Sequence, residues 1–331
     1  MADLTPDLLL YRQSCIAPSS LSTYFTAWSN YQSFTSSAAI SSLPLNQQVL
    51  SFYVTSLART LAFKSIKVYL SGIQFYSNMC GFDSRISGMT QLFYILRGIR
   101  RVQGSRFTRP RRPAITINHL VTIIHFLTNS NKLSYHDKLM LHSAVCLAFF
   151  GLLRSSEYVC PTTTTFYPEA SLLITDISIN QSVAHIRIKS SKTDPFRVGC
   201  SIRIGTTGTV TCPVAALSRF MSVHAFTPGP LFRFQNGSFL TRNILAQIVQ
   251  EALPHLRHVN THSFRIGGAS AAASAGIPDS TIQIMGRWSS NTFVQYIRMS
   301  DSSVHNISIQ MAKIRNPNRY WDTQKLLSTK F

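Results

Sequence analysis

Acidic residues are scarce in this 331-residue chain: Asp and Glu number 12 against 32 Lys and Arg, a formal net charge of +20 at pH 7. Charged residues make up only 13% of the sequence, so it is missing acids rather than surplus bases that tilt the balance. Such a field concentrates polyanions at the surface. With 45% hydrophobic residues the chain can bury a core, which excludes a disordered basic tail. A folded nucleic-acid binder is the leading class, ahead of a protein of anionic membrane surfaces. No run approaches the roughly 18 apolar residues that a spanning helix needs. The start of the chain holds no basic stretch followed by an apolar one. A soluble, intracellular and, given the expected partner, nuclear protein is anticipated, with double-stranded DNA as that partner and no membrane.

Paired cysteines are also lacking. Cys15, Cys80, Cys146, Cys160, Cys200 and Cys212 are scattered with no C-x-x-C pair, and read as free thiols. His255, His258 and His262 have no companion cysteine and no H-E-x-x-H arrangement. No metal and no cofactor is therefore expected. The sequence also has no G-x-x-x-x-G-K-[ST] phosphate loop, no internal repeat and no long low-complexity tract.

What is present reads as two domains, given about 100–200 residues per domain. In the first hundred residues Tyr24, Trp28, Tyr31 and Phe34 share one helical stripe. Residues 49–61, 65–76 and 89–99 carry apolar residues at helical intervals, so a small helical domain over 1–103 is expected. Arg97, Arg100, Arg101, Arg106, Arg109, Arg111 and Arg112 then crowd together before Pro113, with no acid between Asp83 and Asp137. A solvated tether would account for such a run. Its lack of compensating acids suits phosphate contacts instead, with a linker at 104–113.

The second domain, expected over 114–305 with a tail at 306–331, opens with helices that include the almost wholly apolar run 140–153. Strands are expected at 172–174 and 183–189. After the turn from Ser190 to Pro195, alternation resumes at Val198, Cys200, Ile202 and Ile204, a hairpin with Lys192 at its tip. From Thr241 onward the pattern is helical again. The fold class is mainly α with a small β-sheet.

Four places in this domain carry chemistry. Arg154 complements a helix dipole in the commonplace reading, but it follows a buried helix and needs an anionic partner, for which Glu157 is placed. Lys192 is an ordinary turn lysine or, on a hairpin tip, a proton donor of a kind that arginine's high pKa forbids. His262 and Arg265 stand three apart at the start of an Ala-rich helix and leave one face. They cap a core helix or converge on one group, held by close packing at Gly267 and Gly268. Tyr296 sits in a helical stretch with Phe293 and Ile297 as an apolar pair, and alone reads as packing.

Together these residues resemble the tyrosine recombinase (phage-integrase) superfamily, which includes lambda-type integrases and Xer-type recombinases and is related to type IB topoisomerases. Residues Gly151 to Glu157 resemble its first-arginine motif, Ser191-Lys192-Thr193 its hairpin lysine motif, and His262-Ser263-Phe264-Arg265 its H-x-x-R box. Gly286-Arg287-Trp288 through Tyr296-Ile297-Arg298 resembles its closing stretch, and all four stand in family order. The run Ser263 to Arg298 also resembles recombinases of eukaryotic DIRS, Ngaro and Crypton mobile elements, retrotransposons among them. The resemblance covers 114 to about 300 well and the first hundred residues loosely. One position departs: the family has His or Trp nine residues before the nucleophile, where this chain has Arg287, with Trp288 one residue later. Either residue could fill that phosphate-contacting slot.

The resemblance implies a core-binding domain and a catalytic domain clamped on DNA as a C. It implies strand cleavage by Tyr296 to a 3′-phosphotyrosyl intermediate, with Arg154, Lys192, His262, Arg265 and Trp288 catalytic and Glu157 and Arg287 auxiliary. Recombination for mobile-element integration, through self-association into a tetrameric synapse, is its implied role. The rivals are type IB topoisomerase-like relaxation and a domesticated, inactive DNA-binding protein.

Overall fold

The computed structural model describes residues 3–83, 85–104, 106–107, 110–191, 194, 196–224, 228–298, 304–305 and 309. It divides into two compact units, Met1–Arg111 and Arg112–Phe331.

The first unit is helical: α1 (Thr5–Ser14), α2 (Pro18–Ser37), α3 (Gln47–Leu57), α4 (Phe63–Met79) and α5 (Thr90–Gln103). Trp28 and Tyr31 of the aromatic stripe pack with Leu50, Tyr53, Val54, Ile66, Ile73 and Leu92 in one core. Gly72 lets α4 approach α2, because a Cβ there would lie 2.9 Å from the Tyr24 Cα. Asn46 caps α3, its side chain accepting from the Gln48 and Val49 amides at 2.8 and 3.2 Å. The buried Gln103 side chain donates to the carbonyls of Ala58 and Leu61 and accepts from the Phe63 amide, which pins the end of α5 to the α3–α4 turn. Arg97, Arg100 and Arg101 thus stand on a helix of this unit, α5.

The second unit contains α6 (Ile117–Asn129), α7 (Tyr135–Phe150), β1 (Ile177–Asn180), β2 (Val183–Ile188), β3 (Cys200–Gly205), α8 (Pro213–Val223), α9 (Arg242–Ala252), α10 (His262–Ser274) and α11 (Asp279–Gly286). The strands form one antiparallel sheet in the order β1-β2-β3, with Ile177 opposite Ile186 and Ile188 opposite Cys200. Ala184, Ile186 and Ile188 of β2 point inward, as period-two alternation requires. α7 is buried from Ser143 through Phe149 on every side, at the centre of a core shared with α6, α8, α9 and the sheet. The fold is mainly α with this one small sheet.

Several expected boundaries move. No strand forms at 172–174: Leu173 makes a single bridge to Pro230, and a 3₁₀ turn follows at Ile174–Asp176, closed by the Asp176 carboxylate accepting from the Leu173 amide at 2.8 Å. The apolar run 140–153 is not helical to its end. α7 stops at Phe150, and Leu152 turns left-handed with φ of 46°. Two helices lie outside the expected set. α1 has leucines on exposed positions, and α8 starts at a Cys212–Pro213 cap. The expected terminal helix through Ile307, Met311 and Ile314 lies outside the described residues.

Candidate active site

The left-handed turn after α7 organises the site. Leu152 at φ 46° is an unfavourable conformation for a branched side chain, costing on the order of 1–2 kcal/mol. It aims the Leu152 carbonyl at two guanidinium groups. Arg265 donates to it through Nη1, and Arg287 donates to it through Nη2 at 3.1 Å. Arg287 is itself left-handed, φ 55°, at the end of α11, and its Nη1 also donates to the Gly151 carbonyl at 3.2 Å. Two strained residues facing each other are held by the hydrogen bonds that their conformations make possible.

One carboxylate serves this cluster. Glu157 is 1% exposed; its Oε1 lies 3.0 Å from Arg154 Nη1 and its Oε2 lies 2.8 Å from Arg287 Nη2. Its Oε2 also accepts from the Arg154 amide at 2.9 Å, closing a 3₁₀ turn at Ser155–Glu157. Arg265, wholly buried, gives Nη2 to the Gly286 carbonyl. Burial first, and then the charges of Arg154 and Arg287, bring the Arg265 guanidinium down to about 9, against the opposing pull of Glu157 and Tyr296. It stays cationic at neutral pH. Three guanidinium groups therefore share one acid. The Nε atoms of Arg265 and Arg287 and Nε1 of Trp288 have no hydrogen-bond partner among the described residues. Unpaired donors in a cationic cluster favour an anion as partner.

α10 presents His262 and Arg265 because it packs very close to its neighbours. A Cβ on Gly267 would run into the Ile115 backbone, and one on Gly268 into the Phe149 carbonyl and the Leu152 side chain. The Asn260 side chain accepts from the His262 amide at 2.9 Å and fixes the first turn. The His262 imidazole is lowered to about 4, by burial first and then by Arg112, Arg265, Arg154 and Arg242, so it is neutral at pH 7.

Tyr296 follows a 3₁₀ turn, Asn291–Gln295, rather than standing on the expected α-helix. Phe293 and Ile297 join Leu152, Ala269, Ile282 and Trp288 in a small cluster that seats this turn on α10 and α11. The Tyr296 ring centre is 5.2 Å from the His262 ring, 5.0 Å from the Trp288 ring and 5.6 Å from the Arg265 guanidinium carbon. Trp288 in turn lies 4.1 Å from that guanidinium carbon. Gly286 makes room, since a Cβ there would overlap the indole.

The structure thus brings together Arg154, Glu157, His262, Arg265, Arg287, Trp288 and Tyr296. Trp288, not Arg287, lies against both Arg265 and Tyr296. Lys192 and Arg109 lie outside the described residues. In the connection between β2 and β3, the Asp194 carboxylate accepts from the Val198 and Gly199 amides at 3.1 and 2.7 Å. Sequence reasoning missed Arg242, whose charge reaches His262, and Ser270, which bonds to the backbone on either side of Ile297. Neither has a local signal, because only the packing of α9 and α10 places them. In the other unit, Phe93, Tyr94, Arg97, Arg100 and Arg101 are exposed on α5, and Arg106 stacks 5.4 Å over Phe107.

No protein-family model and no curated protein matches the sequence. Solved structures do share the fold. The XerH site-specific recombinase, bound to its palindromic difH substrate in a post-cleavage complex, is 13% identical with a TM-score of 0.58, over 81% of this chain and 71% of that one. The Tn1549 transposon integrase, in complex with transposon right-end DNA, is 15% identical with a TM-score of 0.53, over 81% and 86%. A lambda integrase dimer bound to a COC′ core site is 13% identical with a TM-score of 0.53, over 86% and 72%. The likeness at these identities is one of fold: this chain has the tyrosine recombinase fold.

Proposed function

We propose that the chain is a site-specific DNA recombinase that cuts and rejoins strands through Tyr296. The observation that carries this reading is a tyrosine ring packed on a neutral histidine and beside Arg265, one of three arginines gathered about a single carboxylate. Phosphodiesters are the anions that such a pocket suits in a chain of net charge +20.

In the reaction, Arg154 and Arg265 grip the non-bridging oxygens of the scissile phosphate with the N–H groups that the protein leaves unused, and stabilise the charge that builds in the transition state. The Tyr296 phenolic oxygen attacks phosphorus; its proton passes to the neutral His262. The bond from phosphorus to the 5′ oxygen breaks, and Lys192 protonates that leaving oxygen. Trp288 Nε1–H is a further donor for a phosphate oxygen. The 3′-phosphotyrosyl bond conserves the energy of the phosphodiester, so a 5′ hydroxyl rejoins the strand by the reverse steps. The exposed arginines of α5, with those at 106–112, hold the flanking backbone. By its sequence resemblance the natural substrate is a mobile element of the DIRS, Ngaro or Crypton kind, recombined in the nucleus by a tetrameric synapse.

The test is covalent trapping on nicked duplex DNA that carries the element's ends. The parental protein forms an adduct that EDTA does not reduce, and Tyr296→Phe binds DNA but forms none. Arg154→Ala and Arg265→Ala slow the reaction by several kcal/mol, of the order found for other electrostatic clamps. An adduct from the Phe variant, or loss of the parental adduct in EDTA, overturns the reading. Relaxation of supercoiled plasmid that lacks a recombination site would instead indicate a topoisomerase, and absence of any adduct a domesticated DNA-binding protein.

A further inference from the structure

The hydroxyl of Ser270 lies on α10, two turns along from His262, and is 8% exposed. Its Oγ accepts a hydrogen bond from the Arg298 amide at 2.8 Å. It has two acceptors for its own proton, the Ile266 carbonyl at 2.7 Å, one turn back in α10, and the Tyr296 carbonyl at 3.2 Å. One proton serves one acceptor at a time, so the hydroxyl always accepts from Arg298 and shares its donation between helix and loop. The Tyr296 segment is also seated by the apolar side chains of Phe293 and Ile297. Such packing is non-directional and leaves a freedom to slide that a directional bond removes.

We propose that Ser270 is a positioning residue for the Tyr296 nucleophile: it ties the backbone around Tyr296 to the helix that carries His262 and Arg265, and so sets the distance from phenol to phosphate. This rests on the reading of Tyr296 as the nucleophile. Two properties suit a hydroxyl to the task. A serine one turn past its acceptor satisfies its own proton within the helix, so the bond to the Tyr296 carbonyl can be released without leaving that proton unpaired. The Arg298 amide, on the other side, would lose its bond to Ser270 if Oγ were removed. The segment is therefore held in place in the resting enzyme while keeping the option of yielding when Tyr296 becomes covalently attached to DNA.

Ser270→Ala removes the tie while keeping a good helix former and adding no bulk. The expected result is a thermal midpoint near the parental value, unchanged DNA affinity, and adduct formation slowed about ten- to hundredfold, as slight misplacement of a reacting group does. Hydrogen exchange at the Arg298 amide should accelerate in the same variant, a readout independent of chemistry. Ser270→Thr, whose hydroxyl can keep the bond to the carbonyl one turn back, should restore both protection and rate. An unprotected Arg298 amide in the parental protein, or parental adduct kinetics in Ser270→Ala, overturns the proposal. A rate that falls only in step with the folded fraction also overturns it. Failure of the underlying nucleophile reading is seen separately, as an adduct formed by Tyr296→Phe.

Discussion

The Arg265 guanidinium carbon stands 4.1 Å from the centre of the Trp288 ring, and the same ring lies 5.0 Å from that of Tyr296. Indole, guanidinium and phenol thus form a triangle, the guanidinium carbon lying 5.6 Å from the phenol ring. Arg287, the adjacent residue, turns the other way, to Glu157 and to the carbonyls of Gly151, Leu152 and Met285. A left-handed residue between α11 and the following loop separates the two directions.

That division predicts opposite phenotypes for neighbouring residues. Trp288→Phe keeps most of the packing but loses Nε1–H, so adduct formation should slow by a factor of ten to a hundred, about 1.4–2.8 kcal/mol, with little change in melting. Arg287→Ala instead leaves the buried Glu157 with one guanidinium partner rather than two, a lost charged hydrogen bond that costs about 1.5–3 kcal/mol of stability. Urea unfolding and trapping kinetics on both variants check this. Equal melting of parent and Arg287→Ala would contradict the assignment.

His262 makes stability depend on pH. Folded, its imidazole titrates at about 4, whereas an unfolded histidine titrates near 6.5. The unfolded chain therefore takes up this proton first on acidification, so the contribution is complete above about 6.5 and is lost as pH falls toward 4. His119, His142 and His224 are lowered too, chiefly by burial, and act in the same direction. His262→Gln should melt with a shallower fall between pH 6.5 and 4 than the parent, measured by urea midpoints across that range. Parallel curves would mean that His262 is readily protonated in the folded protein.

The arginines of α5 should act through phosphate. Replacing Arg97, Arg100 and Arg101 with Ala leaves the Gln103 anchor and the core face of the helix in place, so the unit should fold. DNA binding should weaken similarly on unrelated sequences, and the salt slope should flatten by about 0.9 for each phosphate that is no longer neutralised. Binding isotherms between 50 and 200 mM salt, roughly the range over which such slopes are read, provide the measurement. An unchanged slope would make α5 a bystander.

Much of this protein is written in local pattern. The helical stripe of Trp28 and Tyr31, the buried run of α7 and the alternation of β2 each answer to a short-range period, and Arg154 with Glu157 are close enough in sequence to be read as a pair. Other features depend on segments that meet only when the chain folds. The spacing of Arg287 and Trp288 relative to Tyr296 left their roles open, because a one-residue shift in sequence is a question of backbone handedness in space. The left-handed Arg287 and the absence of a Cβ at Gly286 set only the directions, sending one side chain to Glu157 and the other to Arg265. The strand expected at 172–174 gave way to a side-chain bond from Asp176, and the helix expected around Tyr296 to a 3₁₀ turn seated by Phe293. Ser270 carries no periodic or motif signal, since a serine inside an Ala-rich helix is ordinary until a second segment brings an amide to it. The sequence by itself determined which residues bear charge, nucleophile and apolar period. Only tertiary structure decided which carbonyls, rings and amides they would meet, because those contacts join residues as far apart as Leu152 and Arg265.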